Sequence, residues 1–127
     1  MTAASQAIRE EVLRDPRHPV HKIADRLLPY LRVLVEQFDP EQVILFGSHA
    51  YGNPDEHSDV DLLVIKKLRE SPIAEATAIR RAFRPLRRSG YNIPLDIMVR
   101  DSEDLQERLA LGAAFHTEVI QKGLRLV

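Results

Sequence analysis

The stretch LFGSHAYGNPDEHSDVDLLVI, residues 45–65, decides how this chain is read. A short apolar run ends in Gly47-Ser48, and a second apolar run opens with Asp59-Val60-Asp61. Acidic residues rarely open a buried strand without a reason. On a strand, side chains at i and i+2 project from one face, so residues 59–65 predict a strand whose two carboxylates point one way while Val60 enters the opposite layer. Leu63 and Ile65 continue the acid face into apolar surroundings. Two like charges this close raise one another's pKa unless a cation sits between them, and a hard divalent ion with oxygen ligands resolves the conflict. Gly47 lets the backbone approach a ligand, and amides at the start of a helix after Ser48 favour phosphate.

Working outward, QVILF (residues 42–46) is a continuous apolar run between turn signals and predicts a buried strand. Upstream, Ile23, Leu27, Leu31, Leu34 and Phe38 recur at spacings of three and four. They predict an amphipathic helix over residues 20–38, kinked or restarted at Pro29. Residues 3–15 suggest a thinner helix with Ile8 and Val12 four apart, ended by DPRHP at residues 15–19. Downstream, Ser71-Pro72 is a helix start with Ser as cap, and Ala76, Ile79, Phe83 and Leu86 form its apolar side to an end near Ser89-Gly90. NIPLDIMV (residues 92–99) predicts a third strand, with Leu95, Ile97 and Val99 on one face and Pro94 confining it to an edge or a strand start. Asp101 and Ser102 can cap a helix with Glu103 and Asp104 in its first turn. A last helix over residues 113–122 pairs Phe115 with Val119 and Glu118 with Lys122. Gly123 can close it, and LRLV can add a final strand. Helices alternate with strands, so the fold class is α/β or α+β: a small mixed sheet flanked by helices.

The chain has 127 residues, enough for one core. Residues 1–19 are expected to be an N-terminal extension and residues 20–127 the domain. Formal net charge is −1, so attraction for phosphate must be local. There are no cysteines, which excludes disulfides, thiolate metal sites and a cysteine nucleophile. No apolar run reaches the length of a membrane span and residues 1–20 are too charged for a signal peptide, so the expected location is cytoplasmic.

Asp96 is a third acid, set inside an apolar strand. If that strand pairs beside the acidic one, three carboxylates gather at one sheet end. Such a trio suits a two-metal site that clamps the attacking and leaving oxygens of a phosphoryl displacement. In combination, Gly47-Ser48, ten intervening residues 49–58, Asp59-Val60-Asp61 and the later Asp96 resemble the signature of the minimal nucleotidyltransferases, members of the DNA-polymerase-β-like superfamily. The resemblance covers roughly residues 43–100. It implies the polymerase-β-like nucleotidyltransferase fold and transfer of a nucleotide, usually AMP from ATP, to an acceptor hydroxyl with release of pyrophosphate. By the same resemblance Gly47 and Ser48 hold the β- and γ-phosphates, and Asp59 and Asp61 ligate two Mg²⁺ ions. Asp96 ligates one of these ions and helps to deprotonate the acceptor. Many members of the group are antitoxins encoded beside a HEPN-domain ribonuclease toxin, which they silence by adding AMP to a tyrosine. A HEPN-type toxin is therefore the expected partner.

Other readings stand beside this one. They are nucleotide transfer to a small hydroxylated molecule such as an aminoglycoside, a non-catalytic module that occludes its partner, and a structural domain without a ligand. Many antitoxin members carry an Arg soon after Gly-Ser, where this chain reads His49-Ala50-Tyr51-Gly52. Arg80, Arg81, Arg84, Arg87 and Arg88 share an arc of roughly 120° on an ideal helix. They form either a solvated face or a docking stripe for an acidic partner or RNA, and the lack of interleaved aromatics disfavours single-strand stacking. His49 and His57, with Asp55 and Glu56 nearby, are expected to be exposed loop histidines, with a zinc site as the alternative. Tyr51 is a weak candidate for stacking on the base. An oligomer is possible.

Overall fold

A computed structural model describes residues 7–127, the side chains of residues 115 and 116 excepted. The elements in chain order are helix α1 (Glu10–Leu13), a 3-10 turn (Pro19–Ile23), α2 (Ala24–Phe38), strand β1 (Gln42–Phe46), the one-turn helix α3 (Ser48–Tyr51), β2 (Val60–Lys66), α4 (Pro72–Arg88), β3 (Leu95–Asp101), α5 (Ser102–Ala110), α6 (Ala114–Lys122) and β4 (Leu124–Arg125). The four strands form one mixed sheet in the order β3-β2-β1-β4. β1 runs antiparallel to β2 and to β4, whereas β2 and β3 are parallel. A parallel pair needs a crossover, and α4 provides it.

Strand alternation sorts the side chains into two layers. Val60, Leu62, Val64, Ile97 and Val99 face α2 and α4, joining Leu27, Leu31, Leu34, Ile79 and Phe83 in the main core. Ile44, Leu63 and Ile65 face the other way and meet Leu105 of α5 and Val119 of α6 in a much smaller cluster. Inside the main core the rings of Tyr30 and Phe83 meet edge to face at 4.9 Å, and the Tyr30 hydroxyl donates to the carbonyl of Tyr91. Burying such aromatic bodies is the large apolar contribution, and the hydroxyl needs its acceptor once water is excluded.

Local chemistry explains most boundaries. Ser71 caps α4, its Oγ accepting from the Ala74 N–H at 3.1 Å, with Pro72 in the first turn. Gly90 follows that helix at φ +91°, and the Tyr91 N–H closes back on the Leu86 carbonyl. Asp101 caps α5 through the Glu103 N–H at 2.9 Å. Glu118 and Lys122 pair at 3.4 Å. The expected contact of Phe115 with Val119 lies outside the described side chains.

Three expectations need correction. The helix over residues 20–38 does not restart at Pro29. The break comes earlier, where the 3-10 turn ends at Ile23, and α2 runs unbroken from Ala24 with Pro29 inside it. Pro29 sits in the second turn, where it costs one backbone bond, and the burial of Leu27, Leu28, Leu31 and Leu34 outweighs that loss. The described part of the first helix is shorter than residues 3–15, spanning Glu10–Leu13, and residues 1–6 lie outside the description. Ile8 and Leu13 nonetheless enter the main core, and the Arg9 N–H donates to the Leu126 carbonyl at 2.8 Å. The acidic strand begins at Val60 rather than Asp59, so the ladder holds Asp61 and leaves Asp59 on the incoming loop. No described helix is long and apolar enough to cross a membrane.

Candidate functional site

The parallel register of β2 and β3 places Asp61 directly beside Asp96, and the antiparallel register of β1 and β2 places Phe46 on the other side of Asp61. Because Asp61 alternates with the buried Val60 and Leu62, it projects from the face that carries Leu63 and Ile65. Asp96 shares that face with Met98. The two carboxylates therefore stand at one end of the sheet, on its thinly covered side. Asp59 lies one residue before the strand and is exposed.

Burial pushes the Asp61 carboxyl above its ordinary value, and the charges of Asp96 and then Asp59 push it further, with His49 opposing. Both other acids thus act electrostatically on Asp61. Among the described residues, no Lys, Arg or His forms an ion pair with Asp59, Asp61 or Asp96. Crowded carboxylates without an ion-pair partner are the donor set that a hard divalent ion relieves. Among the described residues, no three of His, Asp and Glu, the trio Asp59, Asp61 and Asp96 included, stand close enough together to hold an ion between them. Mg²⁺ does not require three, since it binds through one or two carboxylates and completes its shell with water and substrate phosphate. Asp61 and Asp96 fit that role as a pair, with Asp59 on the loop above them.

Gly47 joins β1 to α3 with φ +77° and ψ −157°, a conformation that glycine alone adopts without strain. It also lies against the site. The three atoms nearest to a Cβ placed there would all belong to the Asp61 side chain, and its Oδ2 would be struck outright. The missing side chain keeps open the space beside that carboxylate. Ser48 opens α3, which has no side-chain cap; the Ala50 and Tyr51 amides donate to the Gly47 carbonyl, which leaves those of Ser48 and His49 for a ligand. A Cβ on Gly52 would come within 2.7 Å of the Ser48 Cα, so the second glycine of the loop is fixed by packing on Ser48. Gly47, with Ser48 next to it, and Asp61 therefore occupy one corner.

His49 is the residue that sequence reasoning misplaced. It is 6% exposed, its Nε2–H donates to the Ser58 carbonyl at 3.3 Å, and its buried Nδ1 has no partner among the described residues. It ties α3 to the loop that delivers Asp59. The His57 side chain is 86% exposed instead, so the two histidines do not share an environment. Asp55 spends its carboxylate on the loop itself, accepting from the His57 N–H at 2.8 Å and the Ser58 hydroxyl at 3.2 Å. These bonds hold its pKa below the ordinary carboxylate value. Nothing in the local sequence distinguishes a buried His49 from an exposed one, because its neighbours Ser48 and Tyr51 are polar or turn-like. Tyr51 is exposed.

The family model for the nucleotidyltransferase domain matches residues 27–124. The chain belongs to that family. The match spans α2 to β4 and includes Gly47, Ser48, Asp59, Asp61 and Asp96, so this nucleotidyltransferase domain is a transferase by family and a mixed α/β domain by fold. No curated protein and no solved structure matches the chain.

Proposed function

We propose that this domain transfers AMP from ATP to a hydroxyl of a partner protein, and that it acts as an antitoxin by modifying a tyrosine of a HEPN-type toxin. The observation that carries the transfer chemistry is the pairing of Asp61 with Asp96 across β2 and β3, with Gly47 packed against the Asp61 carboxylate. Family membership supports nucleotidyl transfer in general. The exposure of Asp96 on an edge strand supports a bulky acceptor, because its carboxylate can be approached from solvent.

In this reading Gly47 and the leading amides of α3 receive the β- and γ-phosphates, with the Ser48 hydroxyl as a further donor. Asp59, Asp61 and Asp96 would hold Mg²⁺, which when bound neutralises phosphate charge and lowers the pKa of a coordinated hydroxyl. Asp96 takes the proton of the acceptor hydroxyl. The acceptor oxygen then bonds to the α-phosphorus while the bridging bond to the β-phosphate breaks and pyrophosphate leaves. The site's main contribution is to hold these groups in line, since orientation supplies much of the rate.

The test is incubation of the protein with α-³²P-labelled ATP, Mg²⁺ and the product of the adjacent gene. Label on that protein, lost in Asp59→Asn and Asp61→Asn, is the expected result. Label on a small molecule instead, or inhibition of the partner by an unlabelling double variant, would overturn the proposed acceptor or the proposed catalysis respectively.

A further inference from the structure

β3 is an edge strand, and among the described residues no other strand pairs with its outer side. The Val60 N–H donates to the Pro94 carbonyl at 2.8 Å, which fixes the parallel ladder so that backbone groups of Asp96, Met98 and Arg100 turn towards β2. Those of Ile97 and Val99 then turn outward. Side chains, not a strand, meet their carbonyls: an Arg80 guanidinium nitrogen lies 3.5 Å from the Ile97 oxygen, and Arg100 donates to the Val99 oxygen at 2.9 Å. A groove of about 290 Å³ follows this edge from Asp96 to Arg100, walled by Ile73, Ala76 and Arg80 of α4. Ile73 is 80% exposed there, a large apolar side chain left in water. Arg84 lies on the same flank of α4 as Arg80, four residues on, whereas the Arg87 guanidinium is engaged with the Tyr30 hydroxyl.

We propose that this edge docks an extended acidic segment of the acceptor protein as an added strand, so that its hydroxyl is presented beside Asp96. The inference rests on the transferase reading above and names how the acceptor is held. An added strand would lie about 4.8 Å from β3, and every second side chain would then fall on the Asp96 face. Outward N–H and C=O groups provide affinity without sequence demands, and the arginines select for negative charge. Arg80 and Arg100 protect the edge until they release its carbonyls to pair with carboxylates of the incoming segment. A strand fits this surface better than RNA does, because an edge of backbone groups has no use for bases and, among the described residues, no aromatic side chain lines the groove.

The probe is the capped peptide acetyl-EVEYEVE-amide, followed by ¹⁵N amide shifts of the full chain without nucleotide. Shifts and hydrogen-exchange protection at Ile97 and Val99 are expected, with affinity falling at least tenfold in Arg80→Glu and in Arg100→Glu. A version of the peptide N-methylated at alternate residues keeps every side chain and should also bind at least tenfold more weakly. Circular dichroism of the variants checks that they fold. Perturbations away from β3, unchanged affinity of the N-methylated peptide, equal binding of the lysine counterpart acetyl-KVKYKVK-amide, or tighter binding of oligouridylate at the same amides would each overturn the proposal. Calorimetry of ATP with Mg²⁺ on the same sample separates the two ideas. Nucleotide binding without peptide docking removes only the docking surface, and docking without nucleotide binding removes the transferase reading beneath it.

Discussion

Replacing Gly47 with alanine tests the link between backbone geometry and the phosphate corner. Two costs are built into the position. At φ +77° and ψ −157° the residue lies in a region that is essentially reserved for glycine, and a non-glycine residue held there costs about 1–3 kcal/mol. The new Cβ would also strike Oδ2 of Asp61, and relief requires that carboxylate to leave its place beside residue 47 or the start of α3 to shift. Gly90→Ala is the matched control. Its φ is +91°, so it bears backbone strain as well, yet a Cβ there meets nothing within 4 Å. Urea denaturation should show both variants destabilised by about 1–3 kcal/mol. Calorimetry with ATP and Mg²⁺ should separate them, with binding lost in Gly47→Ala and retained in Gly90→Ala. If Gly47→Ala binds nucleotide as the wild type does, the contact with Asp61 has no part in the site and the assignment of this corner is wrong.

Further expectations follow from the same structure. Because the Asp61 carboxyl is raised on folding, it favours the folded state while protonated, a contribution present below its ordinary value of 3.8 and lost as pH rises through the higher folded value. Asp61→Asn should therefore melt at a higher temperature than wild type near pH 7, with the gap closing towards pH 3. Adding Mg²⁺ should stabilise the wild type and not the variant. At the opposite end of the sheet, Lys66 and Glu75 form a buried ion pair at 3.2 Å, so Lys66→Met should cost about 3–5 kcal/mol in denaturant unfolding by leaving Glu75 alone. The double replacement Lys66→Met with Glu75→Leu should recover most of that loss. His49→Ala frees the Ser58 carbonyl and should weaken Mg²⁺-dependent nucleotide binding by roughly 10-fold or more. His49→Gln, which keeps a donor, should restore part of the affinity.

Much of the fold was legible because its signals are local. The run of residues 42–46 became β1 with those same bounds, Ser71-Pro72 began α4, and Asp101 capped α5. The alternation in residues 95–99 placed Ile97 and Val99 in the core, and Pro94 stands just before an edge strand. The adjacency of Asp61 and Asp96 was an expectation conditional on strand order, which no local pattern contains. Periodicity also failed to show where α2 begins, since a 3-10 turn carries Val20 and Ile23 at a spacing that an α-helix shares. The start of β2 slipped by one residue because strand alternation continues through Asp59 in sequence while the ladder stops at Val60. His49 was beyond reach, since its burial is decided by how the loop of residues 53–59 folds over it.

The crossover through α4 has a consequence for biosynthesis. Asp61 and Asp96 become neighbours only when a parallel pair closes over a whole helix, a non-local pairing that forms slowly compared with hairpins and helices. A nascent chain that has emerged only as far as Arg88 already carries the glycine-serine bend and two of the acids, yet has no third strand to set beside them. The acidic pair would thus be complete only once residues 95–101 have left the ribosome, a built-in delay between translation and chemistry.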